Sequence, residues 1–110
     1  MSVTCAYEQD GARGVLLVSG RIDSATAPEF QAGTFDALDT EPAGGLVVDF
    51  TDVAYISSAG LRVLLMAAKR QKKAGRPFAV CGLSENARKV FEMGGFHKIV
   101  PLFDTRADAP

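Results

Sequence analysis

Apolar and polar positions change character along the chain, from short β-rich runs near its start to helical spacing later. Residues 3–8 and 15–19 have the β-rich composition of strands, and Asp10-Gly11-Ala12-Arg13-Gly14 between them predicts a hairpin turn. Thr26-Ala27-Pro28-Glu29 has the spacing of a capping box with proline in the first turn. A helix is therefore predicted from about Ala27, turning Phe30, Ala37 and Leu38 to the core. Pro42-Ala43-Gly44-Gly45 then breaks the chain ahead of Leu46-Val47-Val48-Asp49-Phe50. That nearly continuous apolar run suits a strand buried on both faces.

The second half reads as alternating helices and strands. Residues 59–74 place Leu61, Leu64, Leu65 and Ala68 on one stripe, with Arg62, Lys69, Arg70, Lys72 and Lys73 mostly off it, and Gly75 stops the helix. Residues 78–81 form a further strand. Ser84 caps a helix whose inner face is Ala87, Val90 and Phe91, and Gly94-Gly95 ends it before a short strand over 99–103. A hairpin followed by helical crossovers predicts an α/β sandwich around a mixed sheet of four to five strands, because such crossovers make the later strands parallel. With no repeat or internal linker, residues 1–110 are expected to form one domain with a frayed tail over 105–110.

Charge changes this picture more than composition does. The 110 residues carry a formal net charge of −1, yet residues 1–55 sum to −7 and residues 56–110 to +6. Folding either keeps these halves apart as two fields or interleaves them. The longest wholly apolar run, residues 63–68, is too short to span a bilayer, and Met1-Ser2-Val3-Thr4-Cys5 lacks the basic-then-apolar start of a signal peptide. A cytoplasmic protein without membrane insertion is expected. The 2 cysteines, Cys5 and Cys81, stand apart without metal-ligand spacing, so reduced thiols are expected and no metal or other cofactor. The single histidine, His97, disfavours a serine–histidine triad.

The most informative stretch passes from strand to helix through two serines, Tyr55-Ile56-Ser57-Ser58-Ala59-Gly60-Leu61-Arg62. Ser58 reads as the N-cap, its hydroxyl accepting from the Gly60 or Leu61 amide beside the positive end of the helix dipole. Gly60, lacking a side chain, leaves that point open to close approach. Capping alone is the ordinary role of such a serine. A nucleophilic role would need a base and a strand-to-helix elbow of the hydrolase type, and a phosphate cradle would need the glycines and lysine of a P-loop; neither pattern is present. What remains is a hydroxyl that another enzyme modifies, and no catalytic residue is expected in the chain itself.

Val48-Asp49-Phe50, the segment from Asp52 through Leu61, Gly75, and Phe91-Glu92-Met93-Gly94-Gly95-Phe96 together resemble the bacterial STAS domain, in particular its single-domain anti-sigma factor antagonists. Gly20-Arg21-Ile22-Asp23 resembles an earlier glycine-to-aspartate element of that family, so the likeness covers almost the whole chain. The family's usual pattern before the helix is Asp-Ser-Ser/Thr-Gly-Leu, against Ser57-Ser58-Ala59-Gly60-Leu61 here. Ser58 falls on the serine that cognate kinases phosphorylate; Ser57 replaces the aspartate and stands as a rival acceptor, and Ala59 replaces the second hydroxyl.

The resemblance implies a non-enzymatic partner-switching protein. Unphosphorylated, it would bind an anti-sigma factor that is also a serine kinase and so free a sigma factor; phosphorylation would end binding, and a PP2C-type phosphatase would restore it. Asp23, Ser57, Ser58, Ala59, Gly60 and Arg62 are the expected partner-binding residues. Asp23 has a second reading, as an Asx-turn or helix cap. The basic run from Lys69 to Lys73 lacks interleaved aromatics and reads as a solvated face rather than a nucleic-acid site. Tyr55 and the phenylalanines read as core. The alternative function is a STAS subunit of a membrane lipid-transport ABC complex, docked permanently and not regulated by phosphate.

Overall fold

The β-rich runs and the helical spacing resolve into a five-stranded mixed sheet with all three α-helices clustered on one face. The computed structural model describes residues 2–41 and 44–109, so Pro42 and Ala43 of the predicted break lie outside the described residues. The elements are β1 (Val3–Asp10), β2 (Arg13–Ile22), α1 (Ala27–Thr40), β3 (Leu46–Ile56), α2 (Ser58–Ala74), β4 (Phe78–Cys81), α3 (Glu85–Met93) and β5 (Leu102–Phe103). The strands lie side by side in chain order, β1 antiparallel to β2 and each later pair parallel. The predicted α/β architecture is the one observed.

Strand alternation decides what each sheet face does. Leu16, Val18, Leu46, Val48, Phe50, Phe78 and Val80 join Phe30, Leu38, Leu64, Ala67 and Phe91 of the helices in the main core. The opposite positions, Val15, Val47, Ala79 and Cys81, form a smaller cluster closed by Ala109. Within the tail expected to fray, residues 106–109 thus make contacts with the sheet. Arg13 donates to the carbonyls of Ala109 and Arg106 at 2.8 and 3.1 Å, and Arg106 pairs with Glu8. A covering that depends on an arginine more than ninety residues away leaves no local signal.

Three further expectations yield to tertiary contacts. Thr26 stands at the start of α1 but makes no cap bond; its hydroxyl donates to the Arg21 carbonyl at 2.8 Å instead, so the capping box is not formed. Val90 is 45% exposed, because α3 is short and Phe91 is its one fully buried residue. Ile99 follows a 3₁₀ turn, Phe96–Lys98, and lies outside β5 at 51% exposure. Both cysteines are free, and burial pushes the Cys81 thiol up to about 11, with the nearby Asp49 charge adding to it.

Folding mixes the acidic and basic halves only in part. Arg70–Asp39, Arg76–Glu41 and Arg106–Glu8 join them, and the fully buried Glu41 carboxylate also accepts from the Gly45 amide at 2.9 Å. Arg62, Lys69, Lys72 and Lys73 of α2 have no carboxylate partner among the described residues. The positive field therefore survives along α2.

Candidate functional site

The parallel pairing of β2 with β3 ends in the partners Arg21–Tyr55 and Ile22–Ile56, which brings the two strand ends to one rim of the sheet. There the Ser57 amide donates to the Ile22 carbonyl at 2.8 Å, and α2 starts at the next residue. Two segments far apart in sequence, residues 21–23 and 55–62, are thereby joined. Irregular register at Leu17/Ser19 and Gly20/Arg21, with Gly20 at φ 103°, sets how β2 reaches this rim.

Ser57, not Ser58, occupies the N-cap of α2, with extended backbone and its carbonyl accepting from the Leu61 amide at 3.0 Å. It makes no side-chain cap bond, and its Oγ is buried without a hydrogen-bond partner among the described residues. Ser58 is the first helical residue and is exposed. The predicted capping bond from Ser58 is thus absent: a residue already inside the helix points its side chain away from the amides that a cap would reach. Of the pair, only Ser58 presents a hydroxyl to solvent.

Gly60 corrects a second expectation. It is buried, and a Cβ built on it would stand 2.6 Å from Ile22 Cγ2 and 2.8 Å from Ile56 Cγ1. The close approach that glycine permits is therefore inward, of the helix onto the two strand ends. This packing sets the height of the first turn above the sheet and, with it, the position of Ser58. Ala59 is half-buried beside it, and Arg62 is exposed one turn further along.

Asp23 reaches the same rim. Its Oδ1 accepts from the amides of Ala25 and Thr26 at 2.9 and 3.0 Å, an Asx-turn, and its Oδ2 pairs with Arg21 at 3.6 Å. The Thr26 amide above all, then the Ala25 amide, the Thr26 hydroxyl and Arg21, hold this carboxyl below its usual range against a smaller opposing effect of desolvation. Arg21 in turn lies over the Tyr55 ring, 4.2 Å from its centroid. Tyr55 is 43% exposed, so it belongs to the rim rather than the core. Sequence reasoning missed Arg21 and Tyr55 as rim residues; the signal was the alternation that puts each next to a buried isoleucine.

Beyond Tyr55 the surface dips into a cleft of about 250 Å³ lined by Ala54, Ile56, Ser84, Ala87 and Val90. The rim thus offers the exposed Ser58 hydroxyl at the start of α2, an ion pair stacked on an aromatic ring, an arginine with no ion-pair partner among the described residues and an apolar depression. No group of three or more His, Cys, Asp or Glu among the described residues is placed to hold a metal ion, and no described helix is long and apolar enough to cross a membrane. Such an arrangement is chemically equipped to be recognised and modified.

Comparison with known proteins bears on who recognises it. The STAS domain profile matches residues 5–109. BtrV of Bordetella bronchiseptica is 34% identical over 95 residues, covering 86% of this chain and 81% of its own. The crystal structure of an anti-sigma factor antagonist from Mycobacterium paratuberculosis superposes with a TM-score of 0.87 at 28% identity, over 96% of this chain and 89% of that one. The Bacillus cell fate determinant SpoIIAA in its phosphorylated form shares the fold, with a TM-score of 0.70 at 16% identity over 93% of this chain and 91% of its own.

Proposed function

The chain belongs to the STAS domain family, and from that premise we propose that it is an anti-sigma factor antagonist switched by phosphorylation of Ser58. In this reading the unmodified rim binds an anti-sigma factor that is also a serine kinase. Phosphate on Ser58 ends the binding, and a PP2C-type phosphatase restores it. The observation that carries the choice of residue is the contrast between neighbours: Ser58 is exposed, whereas the Ser57 Oγ is buried beneath it. A phosphoryl acceptor must reach the donor in line, and a buried hydroxyl fails that geometric demand.

The transfer itself is ordinary phosphoryl chemistry. Ser58 Oγ forms a bond to the γ-phosphorus of a nucleoside triphosphate held by the kinase, the bond to the bridging oxygen breaks, and the nucleoside diphosphate leaves. The hydroxyl proton passes to a base on the kinase, since the described residues place no histidine at this rim and His97 lies in the 3₁₀ turn after α3. The product carries about −1.5 to −2 charges and three acceptor oxygens. At the first turn of α2 it is stabilised by the amide dipoles, so the fold persists while the docking surface gains bulk and negative charge. Turning mostly bound into mostly free requires about 3 to 5 kcal/mol of differential affinity. A desolvated contact with acidic partner groups at this point supplies repulsion of that order.

The named relatives favour this reading over a lipid-transport subunit. Mass spectrometry after incubation with the cognate kinase and ATP tests it: phosphate on Ser58 is expected, and phosphate on Ser57, or on neither, defeats the assignment. Calorimetry gives a second test. Ser58→Ala should keep its affinity for the kinase partner and Ser58→Asp should lose at least tenfold, about 1.4 kcal/mol; equal affinities reject the charge argument.

A further inference from the structure

The seven arginines of the chain differ in one respect. Arg13, Arg21, Arg70, Arg76, Arg88 and Arg106 each pair with a carboxylate. Arg62 has no such partner and makes no side-chain hydrogen bond among the described residues. It stands on the exposed face of α2 in the series Ser58, Arg62, Met66, Lys69, Lys73, whose spacings of 4, 4, 3 and 4 residues trace one stripe along the helix. Leu61, Leu64, Ala68 and Gln71 occupy the buried side. The one arginine without an anion is thus one helical turn from the exposed serine.

We propose that Arg62 is the residue that receives the phosphate on Ser58, folding back one turn to pair with it. The inference rests on the reading above in which Ser58 is the acceptor. Before modification Arg62 is a free cation on the docking face; afterwards it is held by the phosphate. The switch therefore removes a positive charge from the surface as it adds a negative one. Guanidinium presents a planar fork that matches two phosphate oxygens, and an anion four residues before a cation is the favoured order on a helix.

Distance singles out Arg62 among the cations of α2. With a rise of about 1.5 Å per residue it lies about 6 Å along the axis from Ser58, whereas Lys69 lies about 16 Å away. The latter exceeds the screening length of about 8 Å at physiological salt. Of the charges on neighbouring elements, Arg21 pairs with Asp23 and stacks on Tyr55 at the end of β2, and Glu85 of α3 pairs with Lys89, whereas Glu29 of α1 has no ion-pair partner among the described residues.

The test uses the full chain with phosphoserine incorporated at position 58 during translation, so that no kinase is needed. The second ionisation of the phosphate is followed by ³¹P NMR. In Arg62→Gln it should lie about half a pH unit above the parent protein, with partial rescue in Arg62→Lys. Lys69→Gln should shift it by about a tenth of a unit or less, and 1 M salt should abolish most of the Arg62 effect. The Arg62 Nε–H resonance should also move on phosphorylation. Equal ionisation in the parent and Arg62→Gln overturns the proposal, as does an equal shift from Lys69→Gln, which would mean a diffuse field rather than a pair. Amide spectra establish that each variant is folded. Failure of the kinase to modify Ser58 would sink the acceptor assignment while leaving this titration interpretable, so the two failures are distinct.

Discussion

The chain enters α2 and α3 through the same residue type in the same position, and the two helix starts behave differently. Ser84 caps α3, its hydroxyl accepting from the Ala87 amide at 3.2 Å. Ser57 stands at the N-cap of α2 with similarly extended backbone, yet its hydroxyl is buried and accepts from no amide. α3 has nine residues and buries only Phe91, so its start depends on local bonding. α2 has seventeen residues and seven buried ones, and its first turn is held by packing on Ile22 and Ile56. A helix anchored by its core can leave its first-turn amides to something else, and at α2 those amides are offered to the rim that carries Ser58.

Three substitutions break or sharpen that contrast, taken from the largest effect down. Gly60→Ala gains helix propensity but drives a methyl group into Ile22 and Ile56, and a net loss of about 1 to 3 kcal/mol is expected in urea unfolding. An unchanged midpoint would mean that packing does not set the start of α2. Ser84→Ala removes a formed cap and should cost about 1 kcal/mol at constant m-value. Ser57→Ala removes no cap bond and one buried unpartnered hydroxyl, so its effect should stay within about 0.5 kcal/mol or be slightly stabilising. If Ser57→Ala cost as much as Ser84→Ala, the two starts would be equivalent after all.

Much of the fold was legible because the relevant signals are local. The β-rich run of residues 15–19, the stripe of Leu61, Leu64 and Ala68, Gly75 at a left-handed φ of 72° closing α2, and Ser84 capping α3 each follow from composition or spacing within a few residues. The candidate site was legible as a segment, since a serine pair between strand and helix marks a helix start. Its internal order was not. Whether Ser57 or Ser58 is the cap turns on a one-residue boundary, and spacing alone does not resolve boundaries at that precision. Gly60 was correctly singled out for close approach, but in the wrong direction, because only the packed strand ends reveal that the approach comes from Ile22 and Ile56.

Charge shows the same division. Sequence alone established an acidic first half and a basic second half, together with the element order, the α/β class and the family resemblance, all properties of composition and short-range pattern. Tertiary structure decided how those charges meet. The parallel register of β2 on β3 carries Asp23 to the rim of Ser58 and lets Arg21 lie on Tyr55. Pairing across the halves consumes Arg70, Arg76 and Arg106 and leaves Arg62 without an ion-pair partner among the described residues. These outcomes depend on which residues distant in sequence come within a few ångströms, and electrostatic interactions are set by that separation and by burial rather than by chain order.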